Sequence, residues 1–342
     1  MNVSTLIKYS FLFIGVYLIV SICAGVEGFD LHRSYEEAET YVQVFSVGEV
    51  VLYRLLKTVD FIYYLIHYYA LKLSVAPNLV TTLIVFTYYC LTIYSTRRVF
   101  KVKVSNLVLL ITLFTVPSIY VISVARNLTA FMFLYCSIVL YYRGKSVLSV
   151  IFILIGVFTH FTTLMYVAVM ISALFMRNCK ISDGSLAVIL VASFFISIIA
   201  PTLINDIMFK IIGGQDMHYM AYSTDVARNY LFHSSINYAD KLPVTFCYIY
   251  SVLLLFANKN RGKEFWSLLL LTIMLSFFMN SSFSLVTRCV MFLPIFWGLN
   301  VGKIMSSSSV KSKIYVKYIS WLGTACLVLH LYGYRQIYFA FL

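Results

Sequence analysis

The sequence predicts an all-α, polytopic integral membrane protein with about eleven transmembrane helices, in a range of ten to twelve. Three observations carry that expectation. Of 342 residues, 61% are hydrophobic and only 11% charged, with a mean hydropathy of +0.89. Apolar runs of span length recur from one end of the chain to the other, where a soluble helix would show a single apolar face. The charges are also sorted by loop: basic residues crowd short connections and acids crowd two long ones.

Taken in order, the runs fall near 8–24, 79–95, 105–123, 127–142, 147–158, 161–176, 184–204, 243–257, 264–280, 287–303 and 315–332. The first, with a basic start and the ending SICAGVEG, could serve as a cleaved signal peptide. Every later run is membranous too, which favours an uncleaved signal anchor. The seven cysteines lie singly, mostly inside apolar runs, with no CxxC or metal-ligand spacing, and read as packing. No metal or other cofactor is expected. No fixed-period repeat relates the two halves, which weighs against an inverted-repeat transporter.

The net charge of +13 follows topology rather than nucleic acid. TRRVFKVK, YYRGKS, MRNCK, NKNRGK and KIMSSSSVKSKIYVK are short and basic, and the positive-inside rule puts them in the cytoplasm with Lys8. Of the thirteen acids, only Asp183 and Glu264 lie in those loops. The others fall in two outer-face segments, so the chain reads as one transmembrane domain, 1–342, with outer-face loops at 25–78 and 205–242. Residues 49–75 are the difficult stretch. Arg54, Lys57, Asp60, His67 and Lys72 interrupt them and tyrosines suit the headgroup belt, so an interfacial or re-entrant helix is expected, with a tilted true span as the alternative.

Within Val124 to Met170 an arginine and a histidine sit at the ends of apolar helices. An ionised side chain costs on the order of 2.5 to 3.5 kcal/mol at mid-span, so such groups need a partner, water or a ligand. Arg126, His160 and Arg288 all map to the outer leaflet, His160 at a tight turn or helix break. Each has a plain alternative. Arg126 and Arg288 could be snorkelling anchors, His160 a satisfied turn residue, Glu49 a helix-dipole partner and Asp30 a solvated loop acid. The loop 205–242 combines Gly213-Gly214 with tyrosine, asparagine and aspartate, a composition suited to sugars, and Arg228 there is a candidate phosphate or sugar contact.

These residues resemble membrane polymerases of the Wzy O-antigen and EpsG-like group. The resemblance rests on Gly28-Phe29-Asp30 with Tyr35, Glu49 opening a helix, Arg126 with Ala130, the basic turn Arg143-Gly144-Lys145, Phe158-Thr159-His160-Phe161-Thr162, and Arg288 before an apolar span. It covers most of the chain in order. Asn127 stands where the group usually has glutamine, and Val50 where proline often follows the glutamate.

What the resemblance implies is a membrane glycosyltransferase of GT-C-like architecture in the bacterial inner membrane, with its active site facing the periplasm. It would move a growing glycan from undecaprenyl diphosphate onto a new lipid-linked repeat unit, without a metal. Membrane lipids and a chain-length regulator are the other implied partners, and nucleic acid is not one. Arg126 and Arg288 would grip the leaving diphosphate, since a guanidinium binds phosphate bidentately and never loses its charge. Asp30, Glu49 and His160 are the candidates for the base, His160 alternatively donating to a phosphate when neutral. Tyr35 and Arg228 would contact substrate. A flippase or transporter for the same lipids, and an O-antigen ligase, are the alternatives.

Overall fold

A computed structural model describes residues 3–25, 30–57, 60–94, 125–160, 162–199, 238–280 and 283–306, with 314 and 318. Among these residues the structure is helical throughout. The elements are α1 (Val3–Gly25), α2 (Asp30–Val44), α3 (Val47–Lys57), α4 (Phe61–Lys72), α5 (Pro77–Tyr94), α6 (Ala125–Tyr142), α7 (Ser146–Thr159), α8 (Thr163–Met176), α9 (Asp183–Ile199), α10 (Tyr238–Ala257), α11 (Lys263–Phe278) and α12 (Phe283–Ser306). Nine of the expected spans coincide with α1 and α5 to α12, to within a few residues. The run at 105–123, that at 315–332 apart from Tyr318, and most of the loop 205–242 lie outside the described residues. Among the described residues, α5 is long and apolar enough to cross a membrane, and several other helices are apolar but shorter.

The chain packs into two compact units, the first comprising 1–95 and 118–167, the second 96–117 and 168–342. In the first, α1 and α6 both pack on α5, and α6 pairs with α7. The segment 25–78, expected to be a loop with one interfacial helix, holds three helices, of which α2 and α3 pack on α4, and α4 in turn meets α5 and α7. Within 49–75 the chain is non-helical at Asp60, just before α4. Pro77 opens α5, where its missing N–H costs nothing. Ser74, with φ of 58°, closes α4 by passing the chain through the left-handed region, Val75 N–H donating to Ala70 O at 2.8 Å.

The α6–α7 hairpin is built from small residues. Gly144, with φ of 76°, ends α6 in a Schellman turn: Lys145 N–H donates to Leu140 O and Gly144 N–H to Tyr141 O, each at 3.0 Å. Along the pair, Ser137 and Ser149 hydroxyls share a hydrogen bond of 2.8 Å, and Gly156 lies against the Ala130 carbonyl. These contacts climb one helix while descending the other, so the helices are antiparallel and closely spaced, as small residues permit in lipid.

In the second unit α11 packs on α9, α10 and α12, and α10 on α12. Buried polar groups tie these helices: Trp297 Nε1 donates to Ser251 Oγ at 2.9 Å, and Tyr248 hydroxyl to Leu190 O at 3.1 Å. Much apolar surface faces outward, with Phe175 82% and Ile199 78% exposed, the pattern required of lipid-facing helices.

A Cβ at Gly156 would lie 3.3 Å from Ala130 O and 3.3 Å from Thr163 Cγ2, which leaves no room for a longer side chain. Gly156→Leu should therefore destabilise the hairpin by roughly 1 to 3 kcal/mol. Thermal unfolding of the purified protein in detergent measures this, and an unchanged Tm would mean that the two helices do not pack closely there.

Candidate functional site

Two separate helices of the first unit send guanidinium groups to one carboxylate. Asp60 immediately precedes α4 and is buried. Its Oδ1 accepts from Arg54 Nε at 3.0 Å and Nη2 at 2.6 Å, while Oδ2 accepts from Arg126 Nη1 at 3.2 Å. Arg54 comes from the last turns of α3, and Arg126 from the first turn of α6. Glu37 on α2 stands 3.6 Å from Arg54 and accepts a hydrogen bond of 2.5 Å from the Tyr64 hydroxyl.

The tyrosines complete the setting. Arg54 Nη1 donates to Tyr41 hydroxyl at 3.2 Å, and its guanidinium lies 4.0 Å over the Tyr64 ring. Arg126 Nη1 also reaches the Tyr64 hydroxyl at 3.3 Å. Burial pushes the Tyr64 hydroxyl above its ordinary range, against the pull of Arg126 and Arg54, so it stays protonated and can serve as donor to Glu37. Desolvating a guanidinium costs several kcal/mol, and Arg54 recovers it through two bonds to Asp60, one to Tyr41 and an aromatic face. The two arginines differ in access: the Arg54 side chain is 3% exposed, that of Arg126 17%.

Beside this cluster stands the end of the α6–α7 hairpin. His160 follows α7 in an extended conformation and is buried. Its Nδ1 accepts from the Thr162 backbone N–H at 3.2 Å, which assigns the ring proton to Nε2 in the neutral form. Thr162 Oγ1 lies 3.0 Å from the same nitrogen and donates to Asn127 Oδ1 at 2.6 Å. Asn127 is the neighbour of Arg126, so the histidine and the arginine are joined through one hydroxyl and one amide. The residue standing in place of the usual glutamine is the one that makes the join.

The other expected site residues are placed differently. Glu49 is exposed, and its Oε2 accepts from Ser46 N–H and Ser46 Oγ, each at 2.7 Å. That is the capping box of α3, the dipole-partner alternative given geometry. The Ser46 hydrogen bonds hold its carboxyl below the ordinary carboxylate range. Tyr35 is buried, its hydroxyl donating to Thr81 Oγ1 at 2.7 Å and reaching Pro77 O at 3.1 Å, which pins α2 to α5. Asp30 begins α2, with its side chain outside the described residues, and Arg228 lies outside them altogether. Arg288 is on α12 in the second unit and partly exposed. His67, between Tyr35 and Tyr63 with ring centres 5.5 and 4.6 Å away, is pushed by burial down to about 4 and packs as a neutral ring.

The sequence singles out Arg126 and His160 but presents Arg54 and Asp60 as interruptions, Tyr64 as a headgroup-belt tyrosine and Glu37 as an outer-loop acid, and gives no sign of Tyr41. The signal was present: opposite charges inside an apolar stretch whose burial each needed a partner. Among the described residues no group of histidine, cysteine and acidic side chains has the geometry to hold a metal.

Removing Asp60 strands two guanidiniums, so Asp60→Ala should cost roughly 3 to 5 kcal/mol of stability. A double-mutant cycle in detergent should find Asp60 coupled more strongly to Arg54 than to Arg126, because that pair is the more deeply buried and has two bonds. Equal couplings would mean that burial does not rank them. Glu49 offers a pH test. Its pKa is lowered in the folded state, so the cap contributes fully above its ordinary value of about 4.5 and is lost as pH falls through the lower folded value. Tm of parent and Glu49→Gln should differ at neutral pH and converge on acidification, and a constant gap would count against it.

A family model described as the EpsG family matches residues 11–341. No curated protein and no solved structure matches the chain.

Proposed function

Because the chain belongs to the EpsG family, we propose that it is a glycan polymerase of the bacterial inner membrane, working at the periplasmic face on undecaprenyl diphosphate-linked oligosaccharides. It transfers the growing glycan from its diphosphate carrier to a sugar hydroxyl of a new carrier-linked repeat unit, as O-antigen and related polysaccharide polymerases do. The chain crosses the membrane about eleven times, with the basic loops in the cytoplasm.

The observation that carries this reading is the pair of guanidiniums on Asp60 beside the His160 turn. In the transfer, the acceptor oxygen forms a bond to the anomeric carbon as the bond to the carrier diphosphate breaks. Negative charge grows on the departing diphosphate, and fixed cations stabilise it most if they need not reorganise. Arg126, the more exposed of the two and held by Asp60, meets that need, with Arg54 as the sealed support behind it. By the resemblance, Arg288 and Arg228 are further candidates for contact with the diphosphate or sugar, while the Tyr35 hydroxyl, bonded to Thr81 and Pro77, holds α2 to α5. His160, with its proton on Nε2, donates to a phosphate oxygen. Asp30 or Glu49 takes the acceptor proton, and the capping commitment of Glu49 favours Asp30. Membrane lipids surround the helices, and a chain-length regulator is an expected partner.

The test is an assay of purified protein with a defined lipid-linked repeat unit, followed by product mass. The parent should add whole repeat units. Arg126→Ala and Arg288→Ala should each lower the rate per folded molecule about 100-fold, the loss typical of removing one charge-stabilising group. Wild-type chain lengths in both variants would refute the assignment. Movement of the lipid across vesicles without any elongation would identify a flippase instead.

A further inference from the structure

The second unit carries a built cation pocket that the transfer chemistry does not use. The α8–α9 and α10–α11 connections meet around a cavity of about 670 Å³ lined by Arg177, Lys180, Asp183, Lys259, Arg261 and Gly262, among others. The lining thus holds four cations and the carboxylate of Asp183, with Glu264 Oε2 near Gly262. Asp183 accepts from Lys259 at 2.8 Å and from Arg261, and the Lys259 hydrogen bond holds its carboxyl below the usual carboxylate range. Arg177 and Lys180 stand on the opposite connection and are exposed.

Like charges gathered this closely repel, and a loop of this composition would ordinarily splay into water. Here it is pinned from below. Buried Asn258 donates to Asn300 Oδ1 at 2.6 Å, and Asn300 Nδ2 donates in turn to Glu264 O at 2.9 Å and Phe296 O at 2.7 Å. Asn260 N–H closes the loop onto Asn258 Oδ1 at 3.0 Å. On the other wall, Ser182 Oγ caps α9 by accepting from Ser185 N–H at 3.0 Å. Arg261 lies 5.5 Å over the Phe265 ring, which leaves its guanidinium only 17% exposed. Buried amides thus hold the loop of Lys259 and Arg261, and the Ser182 cap fixes the start of α9, so that four cations line one cavity.

The helix surface beside the pocket says which anion fits. The turns of α8 leading into it expose Ile171, Leu174 and Phe175, and α9 leading away exposes Val188, Val191 and Phe195. A ligand seated among the cations therefore has apolar helix walls next to it. We infer that this pocket binds the phosphate of an anionic lipid headgroup, its acyl chains lying along the exposed faces of α8 and α9. The lipid neutralises charge that Asp183 alone leaves unmatched, in the manner of basic pockets at helix ends that recruit anionic lipids. The inference does not depend on the proposed polymerase reaction.

Native mass spectrometry of the full-length protein in detergent, exposed to equal amounts of phosphatidylglycerol and phosphatidylcholine, tests it. The parent should retain phosphatidylglycerol about tenfold or more over phosphatidylcholine, and Arg177→Gln with Lys180→Gln should abolish most of that preference. Lys145→Gln, in a different basic turn, should leave it intact. Asp183→Asn, which removes the competing carboxylate, should strengthen retention, so the pocket is also read by a change of opposite sign. Equal retention by parent and the Arg177/Lys180 variant, at equal Tm, overturns the site, as does a loss on Asp183→Asn matching that of the double variant. Displacement of the lipid by millimolar inorganic phosphate would assign the pocket to a free anion and overturn the lipid occupant.

Discussion

The first unit depends on the sharing of Asp60 between two arginines. A carboxylate buried with one guanidinium is a closed pair, whereas a carboxylate buried with two leaves positive charge in excess, and the local structure must accommodate it. Here Glu37 and the Tyr64 and Tyr41 hydroxyls take up part of it. The arrangement fixes three helices at once, since α3 contributes Arg54, α6 contributes Arg126 and the approach to α4 contributes Asp60. Losing any member would leave a charge in a poorly solvated place, so the network holds α3, α4 and α6 to one geometry.

That network is also what separates two kinds of cation in this protein. Arg54 is buried, Arg126 is partly so, and both are bonded individually to the same carboxylate, which fixes where they stand. Around the α8–α9 and α10–α11 connections Arg177, Lys180 and Lys259 are exposed, and the loop carrying Lys259 and Arg261 is held by the amides beneath as well as by Asp183. The first kind suits stabilising charge that develops during a reaction, which needs fixed dipoles. The second suits holding charge that is permanently present.

Much of this was legible in the sequence, for identifiable reasons. Apolar runs and basic turns located nine helices because hydropathy and topology are local properties, and Arg143-Gly144-Lys145 marked the α6–α7 turn because only glycine takes its positive φ cheaply. Ser46 and Glu49 spelled a capping box three residues apart, which made the dipole-partner alternative readable and the base assignment less economical. The need for partners was legible at Arg54 and Asp60, but which groups pair in the Asp60 network was not. Arg54 and Asp60 are six apart, a spacing that no continuous helix places on one face, so their pairing requires the break between α3 and α4. Arg126 is 66 residues from Asp60, and nothing in the sequence states that distance in space. Hydropathy scored these charges as penalties on one segment, when they are partners of one another.

The α6–α7 hairpin bears on how the protein is made. Ser137 and Ser149 satisfy each other's hydroxyls, Gly144 reverses the chain within a few residues, and Gly156 lets the two backbones touch. A pair so closed presents less polar surface to lipid than its two helices do separately. During biosynthesis the two are therefore best delivered to the bilayer as one folded piece, its turn leading or trailing as a unit. The order in which the chain emerges then matters: Asp60 and Arg54 are synthesised long before Arg126, and must wait for the hairpin to bring the second guanidinium to them.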